Sequence, residues 1–165
     1  AAGLLLTLPG TPFLYYGEEL GLPNGPGDLD EEKRTPMMWD ESANFGFSSA
    51  APWYAFSSDD PTLSVAAQGE DPDSLLNLYK TLIGLRNDLP ALREGSLTLL
   101  PQGEDGVLGF RREGGGERLV VLANFADEAQ VDTSAYAGAT ELLTGETVGE
   151  TLTLGEQALV VLRLR

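Results

Sequence analysis

The stretch GTPFLYYG, residues 10–17, decides how the first part of the chain folds. Pro12 interrupts the preceding backbone, and residues 13–16 form a continuous apolar run that Gly17 closes. Continuous apolarity is typical of a strand buried on both faces, as in parallel sheets. Such a strand cannot stand alone, because its backbone groups need ladder partners. We therefore expect one strand of a larger sheet; the alternative is a helix followed by a short buried strand within a small complete fold.

The composition excludes several classes of chemistry. The 165 residues include no histidine and no cysteine, which rules out Ser-His catalysis, histidine zinc sites, thiol nucleophiles and disulfides. Any hydrolysis must therefore depend on carboxylates. The net charge of −16 divides into −10 over residues 1–92 and −6 over residues 93–165. Because neither part is basic, we expect no nucleic-acid partner and no anionic membrane, and we attribute the acidity to solubility.

The first apolar run gives no targeting signal. Residues 3–8 are too few to span a bilayer, and they lack the basic flank and cleavage site of a signal peptide. The compartment stays open on this basis, with the cytoplasm as the expectation.

Residues 20–70 are rich in glycine, proline, serine, aspartate and asparagine, with aromatic residues spaced through them. A loop of this length is usually functional or anchored by its own side chains. The aromatic side chains can either stack on sugar rings or fill a core, and we expect core use for most of them. They are Trp39, Phe45, Phe47, Trp53, Tyr54 and Phe56.

A helix follows, and then a series of short strands. Asp71 and Pro72 predict the helix start, an apolar stripe occupies residues 75–85, and Pro90 ends it. We expect Arg86 and Arg93 to be structural. The predicted strands are residues 96–100, 107–113, 117–125, 129–131, 140–143, 150–154 and 157–164. Their length and regular turns predict an antiparallel sandwich.

Four turns that contain glycine separate the predicted strands. They are Glu104-Asp105-Gly106, Gly114-Gly115-Gly116, Gly145 and Gly155-Glu156. The triple glycine precedes a strand rather than a helix, so it predicts a hairpin and not a phosphate-binding loop.

Arg34 is the candidate binding residue. It lies on a loop after the predicted buried strand, and ligands of such sheets bind beyond the carboxyl ends of the strands. A guanidinium can donate several hydrogen bonds to sugar hydroxyls or clamp a carboxylate. The alternative is a surface arginine that pairs with Asp30, Glu31 or Glu32.

Glu18 and Glu19 form a carboxylate pair of the kind that glycoside hydrolysis uses. Adjacent residues on a strand point to opposite faces, so at most one of them faces a site. A buried or capping carboxylate is the expected role.

These motifs resemble the alpha-amylase family of glycoside hydrolases along nearly the whole chain. GTPFLYYGEELG, residues 10–21, resembles the eighth barrel strand. SLLNLYKTLIGLR, residues 74–86, is similar to the eighth barrel helix, with PALREG after it. RTPMMWD at residues 34–40, followed by NFGFS and PW, looks like the loop motif of the alpha-glucosidase, oligosaccharide-glucosidase and trehalose-synthase branch. Met38 stands where glutamine is usual, and Phe45 where a small residue is usual.

The resemblance implies an α+β, mainly β, fold in two parts. Residues 1–92 would form the end of a (β/α)8 TIM barrel, with its last strand, a long loop and its last helix. Residues 93–165 would form a C-terminal antiparallel β-sandwich. Because such a barrel takes ~250 residues, most of it is expected upstream of this chain.

The resemblance also implies a retaining mechanism with two carboxyl groups about 5 Å apart. In the family these groups and a third aspartate lie on earlier strands, upstream of Ala1, so we assign no catalytic residue, no metal ligand and no cofactor. The parent enzyme would hydrolyse or transfer alpha-glucosyl units of short alpha-glucans or disaccharides. The alternative is a non-catalytic carbohydrate-binding or interaction β-sandwich module.

Arg34 matches the family's loop arginine, which pairs with an upstream aspartate and reaches the sugar at the non-reducing end. We therefore expect Arg34 to bind substrate, with Pro36, Met37 and Trp39 holding the loop. Met38 in place of glutamine leaves the substrate preference open.

We predict self-association of the 165-residue chain, because an unpartnered strand edge and helix flank favour pairing with a second copy. Light scattering over a concentration series should give a molar mass that rises with concentration. A constant monomer mass at high concentration would contradict the prediction.

Overall fold

The computed structural model describes residues 1–101 and 106–165. Packing divides them into two units, one of Ala1–Pro12 with Thr81–Arg165 and one of Phe13–Lys80. The predicted turn at Glu104-Asp105-Gly106 lies outside the described residues except for Gly106. The domain boundary expected after residue 92 concerns the parent fold and stays a prediction.

Short helices precede a set of antiparallel strands. The α-helices are α1 (Ala2–Thr7), α2 (Val65–Glu70), α3 (Leu75–Asp88) and α4 (Pro90–Arg93). The strands are β1 (Ser96–Leu99), β2 (Val107–Gly114), β3 (Glu117–Asn124), β4 (Ala129–Asp132), β5 (Thr140–Glu141), β6 (Thr151–Leu154) and β7 (Leu159–Arg163). Single 3-10 turns at Glu18–Leu20 and Asp30–Lys33 lie within the second unit.

Two antiparallel sheets form the C-terminal part. The larger has the order β1-β2-β3-β7-β5, and the smaller pairs β4 with β6. Each of the seven predicted strands overlaps an observed one, so the prediction of an antiparallel C-terminal region is confirmed.

The β2–β3 hairpin closes on two glycines with positive φ, Gly115 at 62° and Gly116 at 83°, while Gly114 pairs with Glu117. A two-residue primed turn requires this conformation, which confirms the predicted hairpin.

The two faces of the larger sheet bury different partners. On one face, side chains of β3 and β7 pack with β4 and β6, so that the smaller sheet covers this side. On the other face, Phe110, Val121 and Val161 are fully buried and pack with Leu4 and Leu8 from the first helix region. The strands alternate between these faces, as the period of two requires.

Arg112 is the largest fully buried side chain in the described part of the chain. Its guanidinium donates hydrogen bonds to the backbone carbonyls of Ser96 (3.3 Å), Leu92 (3.0 Å), Gly95 (3.1 Å) and Thr7. Burial lowers the pKa of Arg112, and the nearby charge of Arg86 lowers it further. An arginine nevertheless stays protonated, so the site holds a buried cation.

Arg86 makes the same kind of contact from α3. It is nearly buried and donates to the carbonyls of Leu6 and Leu8, both at 2.9 Å, and of Gly10. The last carbonyls of a helix lack partners within the helix. Arg86 and Arg112 therefore satisfy backbone acceptors at and just beyond the end of α1. The structural role predicted for Arg86 is confirmed.

The start of α3 differs from the prediction. Ser74 caps the helix: its hydroxyl accepts from the Asn77 N–H at 3.2 Å and donates to the Gln68 carbonyl at 2.7 Å. Asp71, the predicted cap, instead accepts from the Asp73 N–H at 3.0 Å in a tight turn before the helix. The correction arises because a serine hydroxyl can satisfy both groups at once, whereas the aspartate lies three residues too early.

Residues 13–16 do not form the predicted buried strand. They belong to none of the sheets of the described residues, and their side chains are exposed, Phe13 by 84%. The described chain brings no strand alongside them, so the ladder partners that such a run needs are not supplied there.

No helix of the described residues is long and apolar enough to cross a membrane.

We predict that Arg112→Met destabilises the first unit by about 3–5 kcal/mol, because it leaves several buried carbonyls without donors. Urea unfolding measures the change. Arg111→Met is the matched control, since Arg111 precedes it on β2, is 40% exposed and pairs with Glu113 at 3.2 Å. Equal losses in the two variants would contradict the assigned role.

Candidate functional site

Arg34 ends the 3-10 turn Asp30–Lys33, and its backbone N–H donates to the Glu31 carbonyl at 3.0 Å. The guanidinium lies 3.6 Å from the Asp30 carboxylate, and its side chain is 59% exposed. Asp30 is one of the three partners that the surface alternative names for Arg34, the other two being Glu31 and Glu32. An exposed pair of this kind contributes little stability, which leaves the guanidinium available to a ligand.

A cavity of about 400 Å³ opens beside Arg34 within the second unit. This volume lies in the range of small-molecule sites, which are mostly apolar with a few placed polar groups. Arg34 supplies a cation and Glu19 supplies a carboxylate. The lining residues are Tyr16, Glu19, Arg34, Thr35, Pro36, Met37, Trp39, Phe47 and Trp53.

Three aromatic residues of the 20–70 loop line the cavity and are exposed, Trp39 by 49%, Phe47 by 38% and Trp53 by 61%. The expectation that most loop aromatics fill a core is therefore wrong for these three. Their rings face a cavity and not a packed interior, which suits stacking on the apolar face of a ring-shaped ligand. Both tryptophans of the chain line this one cavity.

A left-handed turn shapes the loop that carries Phe47. Asn44, Phe45 and Gly46 have φ values of 55°, 49° and 68°. The Phe45 carbonyl accepts from the Trp39 N–H at 2.8 Å, and this bond holds the turn beside the segment that carries Trp39. The Phe45 ring packs edge-on against Phe56 at 5.0 Å, an arrangement that offsets part of the backbone strain of a bulky residue there.

Tyr16 holds the backbone next to Arg34 in place through a hydrogen bond to Thr35. Its hydroxyl donates to the Thr35 carbonyl at 3.0 Å. Burial raises the pKa of Tyr16, Tyr15 raises it further, and the Arg34 charge opposes both. The phenol is therefore neutral near neutral pH and acts as a hydrogen-bond donor.

The carboxylate pair separates into two roles. Glu18 and Glu19 lie in the 3-10 turn Glu18–Leu20 and not at the end of a strand, which corrects the predicted element. Glu18 accepts from the Tyr79 hydroxyl at 2.9 Å, and burial together with this bond raises the pKa of Tyr79 to about 12. Glu19 lines the cavity. One member of the pair thus faces the candidate site.

Glu32, named from the sequence only as a possible surface partner of Arg34, is a buried carboxylate. It accepts from the Tyr54 hydroxyl at 3.2 Å and from the Gly27 backbone N–H. A Cβ at Gly25 would lie 2.9 Å from the Glu32 Cβ, which favours glycine there, and a Cβ at Gly27 would lie 2.7 and 2.9 Å from the Glu32 carboxylate oxygens. Gly25 and Gly27 lie just before an acidic run, and this pattern is the sequence signal that could have indicated a buried carboxylate packed against glycine backbone.

Met38 lies under the loop and not in the cavity lining. It is almost fully buried, and its carbonyl accepts from the Val65 N–H at 3.0 Å. Met37, the neighbour on the chain, is the one that reaches the cavity. This position of Met38 explains why an apolar side chain is accommodated there.

The arrangement can bind a polar ring compound, but it does not hold two reacting carboxyl groups. Of the carboxylates in residues 1–101 and 106–165, Glu19 lines the cavity, whereas retaining glycoside hydrolysis needs two that flank one bond. Within the same residues, no group of three acidic side chains is placed to hold a metal ion.

Comparison with known proteins gives similarity along most of the chain. The family described as "Alpha amylase, catalytic domain" matches residues 1–95. A trehalose synthase of Thermus thermophilus is 40% identical over 82% of this chain and 15% of its own length. A probable alpha-glucosidase of Rhizobium meliloti is 34% identical over 78% of this chain and 26% of its own.

A solved structure extends the similarity to the fold. A mutant isomaltulose synthase of Erwinia rhapontici, solved in complex with D-glucose, is 26% identical, with a TM-score of 0.78 over 99% of this chain and 37% of that protein. The chain thus spans between 15% and 37% of the length of these three relatives. With the family match covering more than half of its residues, the chain belongs to the alpha-amylase family of glycoside hydrolases.

Proposed function

We propose that these residues form the C-terminal portion of a retaining alpha-glucoside hydrolase or transglycosylase that acts on disaccharides or short alpha-glucans. Residues 1–92 would end its catalytic barrel, and residues 93–165 would form its C-terminal β-sandwich. The observation that carries the proposal is the aromatic cavity beside Arg34. Part of its lining comes from residues 34–40, the loop motif that resembles the glucosidase branch.

Arg34 binds the glucosyl unit in this proposal. Its guanidinium is exposed, and the Tyr16–Thr35 hydrogen bond holds the segment that presents it. Several N–H groups in one plane suit the vicinal hydroxyls of a sugar ring, and the same charge attracts a carboxylate partner. The exposed faces of Trp39 and Trp53 add stacking surface.

The relatives' names support small alpha-glucosides as the substrate class. A trehalose synthase and a probable alpha-glucosidase are among them, and the isomaltulose synthase was solved with D-glucose. The proposal includes both water and a second sugar as the acceptor of the glucosyl unit. The reacting carboxyl groups would come from earlier strands, and no redox cofactor is required.

The alternative, a carbohydrate-binding sandwich without catalysis, would place the sugar on the strands of the C-terminal region. The aromatic cavity lies instead in Phe13–Lys80. This location favours the enzyme over the binding module.

We predict that Arg34→Lys lowers kcat/KM for maltose about 10- to 100-fold in the complete enzyme that carries these residues, because a lysine offers one point charge where the guanidinium donates several bonds. The measurement is steady-state kinetics. Arg163→Lys is the control, since Arg163 is 45% exposed and pairs with Glu117 at 3.4 Å. An unchanged kcat/KM in Arg34→Lys would refute substrate binding by this residue.

The 165-residue chain by itself should release no glucose from maltose or an aryl alpha-glucoside, because in this proposal both reacting carboxyl groups come from earlier strands. A coupled glucose assay at rising protein concentration tests this. Glucose release that grows in proportion to the protein concentration would overturn the proposal that the reacting carboxyl groups come from earlier strands.

A further inference from the structure

Two separate segments supply the polar and aromatic parts of the cavity lining. Arg34 comes from the turn Asp30–Lys33, and Trp53 comes from a loop about twenty residues later. Neither side chain is held by burial, since both are more than half exposed. Their relative position must therefore be set by residues beside them.

Glu32 anchors the first segment. It lies in the same turn as Arg34, two positions earlier, and its side chain is buried against the backbone of Gly25 and Gly27. The Gly27 N–H donates to one carboxylate oxygen, and the Gly25 N–H donates to the Glu32 carbonyl at 2.8 Å. The glycines and the turn thus hold this carboxylate in a fixed position.

Tyr54 connects this anchor to the second segment. Its hydroxyl donates to the other oxygen of Glu32 at 3.2 Å. Its ring lies 5.4 Å from the ring of Trp53, the adjacent residue, at an angle of 44°. Tyr54 therefore contacts both the anchored carboxylate and the exposed indole of the cavity.

We propose that the Glu32–Tyr54 hydrogen bond positions Trp53 relative to Arg34 and so sets the width of the glucoside cavity. Glu32 and Tyr54 are then positioning residues that determine which sugar fits between the guanidinium and the indole. This inference rests on the proposed function for its ligand, but the positioning itself is independent of turnover.

The effect should show as motion of Trp53 and not as unfolding. Removing the hydroxyl leaves a buried carboxylate oxygen without its donor, which costs free energy. Trp53 itself is 61% exposed, so little packing holds its ring in place, and displacement of this residue is the least costly response. A structural role alone would lower stability without changing the indole's freedom.

Time-resolved fluorescence anisotropy of the 165-residue chain measures this freedom. In a Trp39→Phe background, Trp53 is the one remaining tryptophan. We expect Tyr54→Phe, which removes the donor, and Glu32→Met, which removes the acceptor, each to give about a twofold larger amplitude of nanosecond motion. Tyr136→Phe, which removes the hydroxyl of a half-buried tyrosine in the other unit, is the control and should change nothing.

A double-mutant cycle on maltose binding by the complete enzyme, with Trp39 retained, tests the consequence for the ligand. We expect each single variant to weaken binding about three- to tenfold and the double variant to be no weaker than Glu32→Met alone, because both substitutions remove the bond between Glu32 and Tyr54.

Unchanged Trp53 motion in both variants would overturn the inference, and so would additive losses of maltose affinity. If Trp53 loosens as expected while maltose binds none of the proteins, including the unmodified one, the positioning stands and the proposed function fails. The two failures are therefore distinguishable.

Discussion

The first unit depends on two buried guanidiniums that bond to backbone carbonyls. Arg86 and Arg112 donate to acceptors at and beyond the end of α1 and around α4, which neither a helix nor a sheet satisfies. Within the described residues neither forms an ion pair with a carboxylate, so the carbonyl dipoles provide the compensation for burying both charges. The apolar packing of Leu4 and Leu8 on the sheet then follows from where these bonds place the first helix.

The antiparallel region could be predicted because its signals are local. Alternation, glycine turns and strand length specify the hairpins without knowledge of distant residues. Arg112 was missed, although one signal was present: two adjacent arginines on one strand must point to opposite faces, so one of them had to enter the core. The exposed residues 13–16 could not be predicted correctly from local pattern, because their burial depends on strands that the described chain does not place beside them.

The candidate site was predictable in part. Arg34 was identified from its motif, and the structure adds the cavity that surrounds it. The aromatic side chains were expected to be buried because large apolar residues usually are, and no local pattern distinguishes a ring that faces solvent from one that fills a core. The burial of Glu32 was not predicted, because Tyr54, 22 residues later, becomes its neighbour only after the loop has folded.

The long reach of the arginine contacts constrains how the chain can acquire its structure during synthesis. Thr7 and Arg112 are 105 residues apart, and Leu6 and Arg86 are 80 apart. A ribosome adds about 5–20 residues per second, so roughly 5–20 s pass between the synthesis of α1 and that of β2, which carries Arg112. During that interval the strands that bury Leu4 and Leu8 have not yet been made, so the packing of this helix on the sheet is a late step of synthesis.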